Sequence, residues 1–239
     1  MTISSNPPAM TVAGRLIRLV SAPRSAMADA VRLPFSTVVA TWVLLLAVWA
    51  AAAGVLLSTA VGRQGLVDER VRVVEGLGRQ VDDATYAQMQ SDPPLWVYFT
   101  SGGRLLLTPP VTVTVAVGLF LWLRRRAAVT FVQCLSVAVH ASVALVVQQV
   151  MATPFHLVRE SLTSPFNLAA LLPFFDEGSA VARFLGTVEA FGLWWVLLLA
   201  MGCAALAGGR ARGFLAPLVA TYAGVAAVVA AAVLLTGGS

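Results

Sequence analysis

One apolar stretch late in the chain limits what this protein can fold into. Residues 184–210 contain a single acidic residue, Glu189, among apolar and small residues, and the stretch closes with Arg210. A helix needs about 20 apolar residues to cross the hydrocarbon core of a bilayer, and this stretch is long enough. Four other stretches have the same character, at residues 35–61, 105–123, 127–151 and 213–235. The pattern therefore predicts five membrane-spanning helices.

The composition favours the same class of protein. Of the 239 residues, 59% are hydrophobic and only 11% are charged, whereas soluble domains carry about 25% charged residues. We therefore predict an all-α, polytopic membrane protein, with one five-helix bundle over residues 35–239 and a cytoplasmic, basic, amphipathic segment over residues 1–34 that lies on anionic lipid. The basic residues are all arginines and alanine is abundant. This composition indicates a bacterial source, and hence the bacterial cytoplasmic membrane.

The distribution of arginines predicts the orientation of the bundle. With the N-terminus in the cytoplasm, nine arginines and one acidic residue lie on the cytoplasmic side, while seven arginines and ten acidic residues lie outside. Arginine-rich short loops remain in the cytoplasm, and the turn Arg124–Arg126 between spans two and three is the clearest example. Five spans then place the C-terminus outside.

Two loops on the outer side are predicted to have structure of their own. The first, residues 62–104, has apolar residues at near-helical spacing, and Asp82 is placed to cap a second short helix, so we expect a helical hairpin. The second, residues 152–180, is unusually apolar. We expect it to form a short interfacial or re-entrant helix between Pro165 and Pro173, buried by protein if it enters the membrane.

The sequence lacks the motifs of common enzyme and cofactor sites. It has two histidines and two cysteines, at positions that predict different depths in the bundle, so a tetrahedral metal site is not expected. A phosphate-binding loop, a nucleophile elbow and a Gly-rich dinucleotide turn are absent from the sequence. We therefore expect no catalytic residue, no metal and no cofactor, and a membrane enzyme is the weakest interpretation.

Polar side chains in the third span allow two interpretations. Gln133, Ser136 and His140 recur at i, i+3 and i+7, and Gln148 roughly continues this face. Such side chains usually bond to neighbouring helices, which contributes about 0.6 kcal/mol each on average. The alternative is a polar path or proton site. We expect His140 to lie inside the bundle, neutral because burial disfavours the imidazolium, and to bond to another span.

Glu189 has the strongest claim to a specific role, because an ionisable group within a span is costly. Its position about six residues into the fourth span puts it roughly 9 Å along that helix. A carboxylate facing lipid is unfavourable, so we expect Glu189 to bond to polar groups on span three or to backbone donors of residues 164–168. That contact would tie the second outer loop to the bundle. At this point its role is open between structural and functional.

Short elements of the sequence occur in a characteristic order. A Val-x-x-Pro element precedes span one, a Gln-Met element lies in the first outer loop, and a Ser-Pro-Phe-Asn-Leu element precedes an acidic residue, Phe-x-x-Trp and a small-residue tail in span four. Their defining residues, besides Glu189, are Pro23, Pro165, Phe166, Asn167, Phe191, Trp194 and Gly202. In this order the elements resemble the bacterial branch of the Yip-type (Ypt/Rab-interacting) five-span membrane proteins.

The resemblance implies a membrane protein without enzymatic activity. Eukaryotic Yip-type proteins act in vesicle trafficking and membrane organisation, and some bacterial relatives are associated with ABC-type exporters. The implied function is an integral membrane adaptor or accessory subunit, whose partners are the lipid bilayer and a membrane protein such as an exporter component, and not nucleic acid. Rab binding is not implied, because the N-terminal segment is much shorter than in eukaryotic relatives. The alternative is a small transporter or channel that uses Gln133, Ser136, His140 and Glu189.

The predicted orientation can be tested by cysteine labelling. In a variant without the two native cysteines, Gln88→Cys in the first outer loop should react with a membrane-impermeant maleimide added to the outer side. Arg125→Cys, between spans two and three, should react only after the membrane is permeabilised. Labelling of position 88 from the cytoplasmic side alone would reverse the orientation.

Overall fold

The regular elements in the described part of this protein are α-helices, as the sequence predicts. A computed structural model describes residues 11–76, 79–92, 113–118, 129–172, 174 and 179–236. The helices with assigned bounds are α1 (Val12–Ser21), α2 (Pro23–Ala30), α3 (Phe35–Leu57), α4 (Ala60–Gly76), α5 (Asp83–Ser91), α6 (Phe131–Ala141), α7 (Val143–Arg159), α8 (Leu168–Leu171), α9 (Ala180–Thr187), α10 (Ala190–Ala207) and α11 (Arg212–Thr236). Residues 113–118 are helical as well.

Among the described residues, four helical segments are long and apolar enough to cross a membrane. They are Phe35–Leu57, Phe131–Arg159, Ala190–Ala207 and Arg212–Ala231. They correspond to four of the five predicted spans and confirm a polytopic helical membrane protein. The predicted second span, residues 105–123, lies outside the described residues except for residues 113–118.

The third span differs from its predicted range, 127–151, at both ends. It begins only at Phe131, because Thr130 and Gln133 form a capping box: the Thr130 hydroxyl accepts from the Gln133 backbone N–H at 3.3 Å, and Gln133 Oε1 accepts from the Thr130 N–H at 2.9 Å. Such a box satisfies donors that the first helical turn leaves free. The helix then continues through a turn at Ser142 to Arg159, so part of the predicted loop 152–180 is helical.

The first span, predicted over residues 35–61, ends early at Leu57. The hydroxyls of Ser58 and Thr59 each donate to a backbone carbonyl three residues earlier, at 2.7 Å. Side chains that bond locally in this way favour a turn over a continued helix. A Cβ atom at Gly62 would collide with a backbone carbonyl of the preceding helix, so the corner between α3 and α4 requires glycine.

The predicted cap at Asp82 is confirmed. Its carboxylate accepts from the Thr85 backbone N–H at 2.8 Å, at the start of α5. Hydrogen bonds from the side chain and the backbone of Thr85 hold the pKa of Asp82 below its ordinary value. This contribution to stability is present above the ordinary pKa of an aspartate and is lost as the pH falls through the lowered one.

The predicted helical hairpin between α4 and α5 is also confirmed. Arg70 Nη1 lies 2.9 Å from Asp92 Oδ2, and Gln64 Nε2 donates to the Tyr86 hydroxyl at 2.9 Å. These contacts join the two helices at separate points along their length. The hairpin is thus an ordered unit attached to the end of the first span.

The N-terminal helices pack against the bundle instead of lying only on lipid. Met27 and Ala30 of α2 are 0% and 1% exposed, and the Ser136 hydroxyl on α6 donates to the Ala30 carbonyl at 2.7 Å. Residues 1–34, predicted as an amphipathic segment on anionic lipid, therefore include a helix, α2, that packs into the bundle. On α1, Ile17 and Val20 remain exposed, as an amphipathic helix beside a membrane requires.

Gly202 on α10 lies at the closest approach of three helices. A Cβ atom there would overlap the Val137 side chain of α6 and the Met27 side chain of α2. Small residues allow helices in membranes to approach closely, which increases their van der Waals contact. This glycine therefore positions α10 against both neighbours.

We expect Gly202→Ala to lower the free energy of unfolding by about 1–3 kcal/mol, because the branched Val137 side chain cannot move aside as readily as the end of Met27. The measurement is the Tm of the purified protein in detergent. Gly54→Ala is the matched control, since a Cβ atom at Gly54 in α3 meets no atom within 4 Å and alanine favours the helix. Equal Tm values for the two variants would contradict the tight contact at Gly202.

Candidate functional site

The predicted helix over residues 184–210 is interrupted at Val188 and Glu189. Helix α9 ends at Thr187 and α10 begins at Ala190. Val188 and Glu189 have extended backbone conformations. The expectation that Glu189 lies about six residues inside a continuous helix is therefore wrong. It is instead the residue immediately before the membrane-spanning helix.

The interruption is stabilised by backbone pairing with the second predicted outer loop. The Leu168 N–H donates to the Val188 carbonyl at 2.8 Å, and the Ala190 N–H donates to the Phe166 carbonyl at 3.0 Å. Together they form an antiparallel bridge between Asn167 and Glu189. Unpaired backbone groups are costly near the hydrocarbon, so the loop supplies bonds that the broken helix no longer makes.

Asn167 fixes the conformation of that loop. Its side-chain Nδ2 donates to the Ser164 carbonyl at 2.9 Å, and its Oδ1 accepts from the Ala170 N–H at 2.7 Å, which caps α8. Asn167 is buried, with 8% of its surface exposed. The amide thus organises both sides of the short bridge, and α8 is the short helix predicted between Pro165 and Pro173, of which Pro173 lies outside the described residues.

The Glu189 carboxylate joins two separate parts of the chain. Its Oε2 accepts from Gln148 Nε2 on α7 at 3.0 Å and from the Ser164 hydroxyl in the loop at 2.8 Å. The expected bond to span three is confirmed. The loop donor, however, is a side-chain hydroxyl and not a backbone N–H, because the backbone groups of the loop already pair with the backbone on either side of Glu189.

A third contact at Glu189 comes from α11. The Glu189 backbone N–H donates to the Tyr222 hydroxyl at 3.1 Å, and a Cβ atom at Gly192 would overlap that hydroxyl. Hydrophobic periodicity does not single out Tyr222. The available signal was a tyrosine in an otherwise apolar span, since a buried tyrosine hydroxyl usually has a hydrogen-bond partner.

Aromatic rings pack beside this polar group. Phe166 of the loop makes edge-to-face contacts with Phe155 of α7, at a centroid distance of 5.5 Å, and with Phe191 of α10, at 5.1 Å. Phe191 also lies 6.0 Å from Trp194. Such ring pairs contribute about 0.5–1.5 kcal/mol beyond their burial. The loop is therefore held by apolar as well as polar contacts. We call Gln148, Ser164, Asn167, Glu189 and Tyr222 the Glu189 cluster.

Ser136 and His140 form a second, separate polar group. Both are buried, at 0% and 1% exposure. His140 Nδ1 lies 2.8 Å from the Ser136 carbonyl, one turn earlier on the same helix, and among the described residues His140 makes no hydrogen bond to another span. The bond between helices is made instead by Ser136, whose hydroxyl donates to Ala30. His140 Nε2 has no hydrogen-bond partner among the described residues.

The predicted polar face of the third span is divided into local groups. Gln133 is used in the helix cap, His140 belongs to the Ser136 group, and Gln148 belongs to the Glu189 cluster. Gln148 is eight positions after His140, which corresponds to about 12 Å along the helix. The one polar side chain between them, Ser142, donates to a carbonyl of its own helix at 2.9 Å. These side chains therefore do not form a continuous line along the helix.

Within the part of the chain that the structure describes, no group of three or more His, Cys, Asp or Glu side chains is placed to hold a metal ion. Cys134 and Cys203 are both free and buried, and they contribute to the same apolar cluster near the end of α10. The Glu189 cluster, by contrast, links the loop to three helices, α7, α10 and α11. Its arrangement is suited to holding these elements together.

Comparison of the chain with protein-family models, curated proteins and solved structures found no match. The class of the protein, a polytopic helical membrane protein, thus comes from its fold alone. The resemblance to Yip-type proteins remains a prediction from the sequence motifs. Several residues of those motifs are in contact: Phe166 packs on Phe191, and Asn167 pairs with Glu189. Pro23 begins α2, and Gly202 lies against that helix.

We expect Glu189→Leu to loosen the loop, because the half-buried donors of Gln148 and Ser164 then lose their shared acceptor, and a hydrogen bond of this kind contributes about 0.5–1.5 kcal/mol. Glu189→Gln keeps a carbonyl acceptor and should retain most of the wild-type behaviour. The measurement is limited proteolysis within residues 152–180, read by mass spectrometry.

The matched control is Glu75→Leu, which removes an exposed acid on α4. This variant should resist proteolysis in the 152–180 region as the wild type does. Wild-type resistance in Glu189→Leu would remove the structural role of the carboxylate.

Proposed function

We propose that this protein is a non-enzymatic integral membrane adaptor or accessory subunit of the bacterial cytoplasmic membrane, in keeping with its resemblance to Yip-type proteins. Its partner would be another membrane protein, for which an ABC-type exporter component is the candidate that the resemblance suggests. The observation that carries the proposal is the use of the polar side chains within the bundle. These side chains form hydrogen bonds either within their own helix or to a neighbouring element.

The Glu189 cluster supports this proposal because its hydrogen bonds are structural in character. One carboxylate oxygen accepts two donors from different elements, and the adjacent backbone is paired on both sides. A group that must bind and release an ion would have to break these bonds in each cycle. A group that holds a surface in one conformation benefits from keeping them.

The surface available to a partner includes the hairpin of α4 and α5. Its inner side is held by the Arg70–Asp92 ion pair, while Gln88 and Gln90 on α5 are exposed. An ordered hairpin loses less conformational entropy on association than a disordered loop of the same length. We therefore assign the partner contact to this hairpin.

The second candidate function is a small transporter or channel, and one observation favours it. His140 Nε2 is buried without a partner among the described residues, and buried ionisable side chains within spans often mark proton paths. In this alternative, His140 and Glu189 would exchange protons or ions through water between them.

The adaptor proposal can be tested by cross-linking in the native membrane. A photoreactive amino acid in place of Gln88 should cross-link to one membrane protein, and the same partner should co-purify with the full chain in mild detergent. The matched control is the same amino acid in place of Val228, which is exposed on α11 and should contact lipid. Equal cross-linking from both positions would contradict a specific contact at the hairpin.

A flux measurement in proteoliposomes distinguishes the transporter from the adaptor. The adaptor proposal predicts that purified protein gives no proton or ion flux above that of protein-free vesicles. Flux that Glu189→Gln or His140→Ala abolishes, while Tm is retained, would overturn the adaptor and establish the second candidate.

A further inference from the structure

A cavity of about 530 Å³ lies between α2, the end of α10 and the beginning of α11. Three arginines line it, Arg24, Arg210 and Arg212, and the remaining lining residues are apolar or glycine. The cavity is separate from the Glu189 cluster, which lies at the opposite end of α10. Its lining therefore combines a strong positive charge with an apolar wall.

The charge of the three arginines is not balanced within the described part of the chain. The ion pairs found there are Arg18–Asp29 and Arg70–Asp92, and no acidic residue lines the cavity. All three arginines are exposed. Positive charges that line one cavity without a counter-charge repel one another, and an anion bound in the cavity reduces that repulsion. The geometry favours a ligand with negative charge.

The position of the cavity indicates the source of this anion. Ala207 ends one membrane-spanning helix and Arg212 begins the next, with a left-handed turn at Gly208 between them. The cavity thus lies where two spans leave the hydrocarbon, which is the depth of lipid headgroups. Met201, Ala204 and Ala205 extend its wall along α10 toward the hydrocarbon.

We propose that this cavity binds the phosphate-bearing headgroup of an anionic phospholipid. Arginine presents a planar set of donors that matches phosphate oxygens in pairs, and basic pockets between membrane helices bind such headgroups. The apolar wall formed by Met201, Ala204 and Ala205 accommodates the glycerol end of the acyl chains. A bound lipid would join α2 to the turn between α10 and α11. This proposal is independent of the adaptor function.

The test uses the full-length protein purified in a neutral detergent. Phosphatidylglycerol is added in one series, phosphatidylcholine in a second and inorganic phosphate in a third, and binding is followed by native mass spectrometry and by the rise in Tm. We expect retention of phosphatidylglycerol and a rise in Tm with that lipid alone. Each of Arg24→Gln, Arg210→Gln and Arg212→Gln should weaken binding by about fivefold, as expected for one arginine near an anionic surface.

Arg159→Gln is the matched control, because Arg159 is exposed at the end of α7 and does not line the cavity. Ala205→Trp fills the cavity while all three arginines remain, and it should also abolish the lipid response. Full response in the arginine variants or in Ala205→Trp overturns the proposal. An equal response to phosphatidylcholine, or to inorganic phosphate, overturns the assignment to an anionic lipid.

Discussion

The fold depends on one requirement of the bilayer, which is that backbone N–H and C=O groups near the hydrocarbon must be paired. The chain breaks its helix at Val188 and Glu189 and meets that requirement with a short bridge to residues 166–168. The bridge brings the second loop against α10, and this placement creates the partners of the Glu189 carboxylate. The polar cluster and the edge-to-face phenylalanine contacts are consequences of that pairing.

The two ends of α10 have different roles. At its first residues, Gly192 allows Tyr222 of α11 to approach, and the Tyr222 hydroxyl accepts from the Glu189 backbone N–H. Toward its end, Gly202 allows α2 and α6 to approach. The same helix therefore organises the loop at one membrane boundary and the N-terminal segment with its arginine-lined cavity at the other.

Two polar side chains of the third span act as connectors. Ser136 bonds to α2 and Gln148 bonds to Glu189, so each joins the third span to a different element. Hydrogen bonds of this kind contribute modestly one by one, but each also specifies which elements are adjacent. Such a frame is in keeping with the adaptor function proposed above.

The sequence by itself determined the class of the protein, the approximate positions of four apolar spans and the hairpin with its cap at Asp82. These features depend on local composition and on interactions within a few residues, which a sequence shows directly. It also identified Glu189, because an acid in an apolar stretch is costly wherever the chain places it. The capping box of Thr130 and Gln133 is also a local pattern that the sequence carries. The break at Glu189 and the contact of Tyr222 were decided by the tertiary structure. Each depends on a partner that is distant in the sequence or on competition between helix and loop for the same backbone groups, and hydrophobic periodicity carries no information about either.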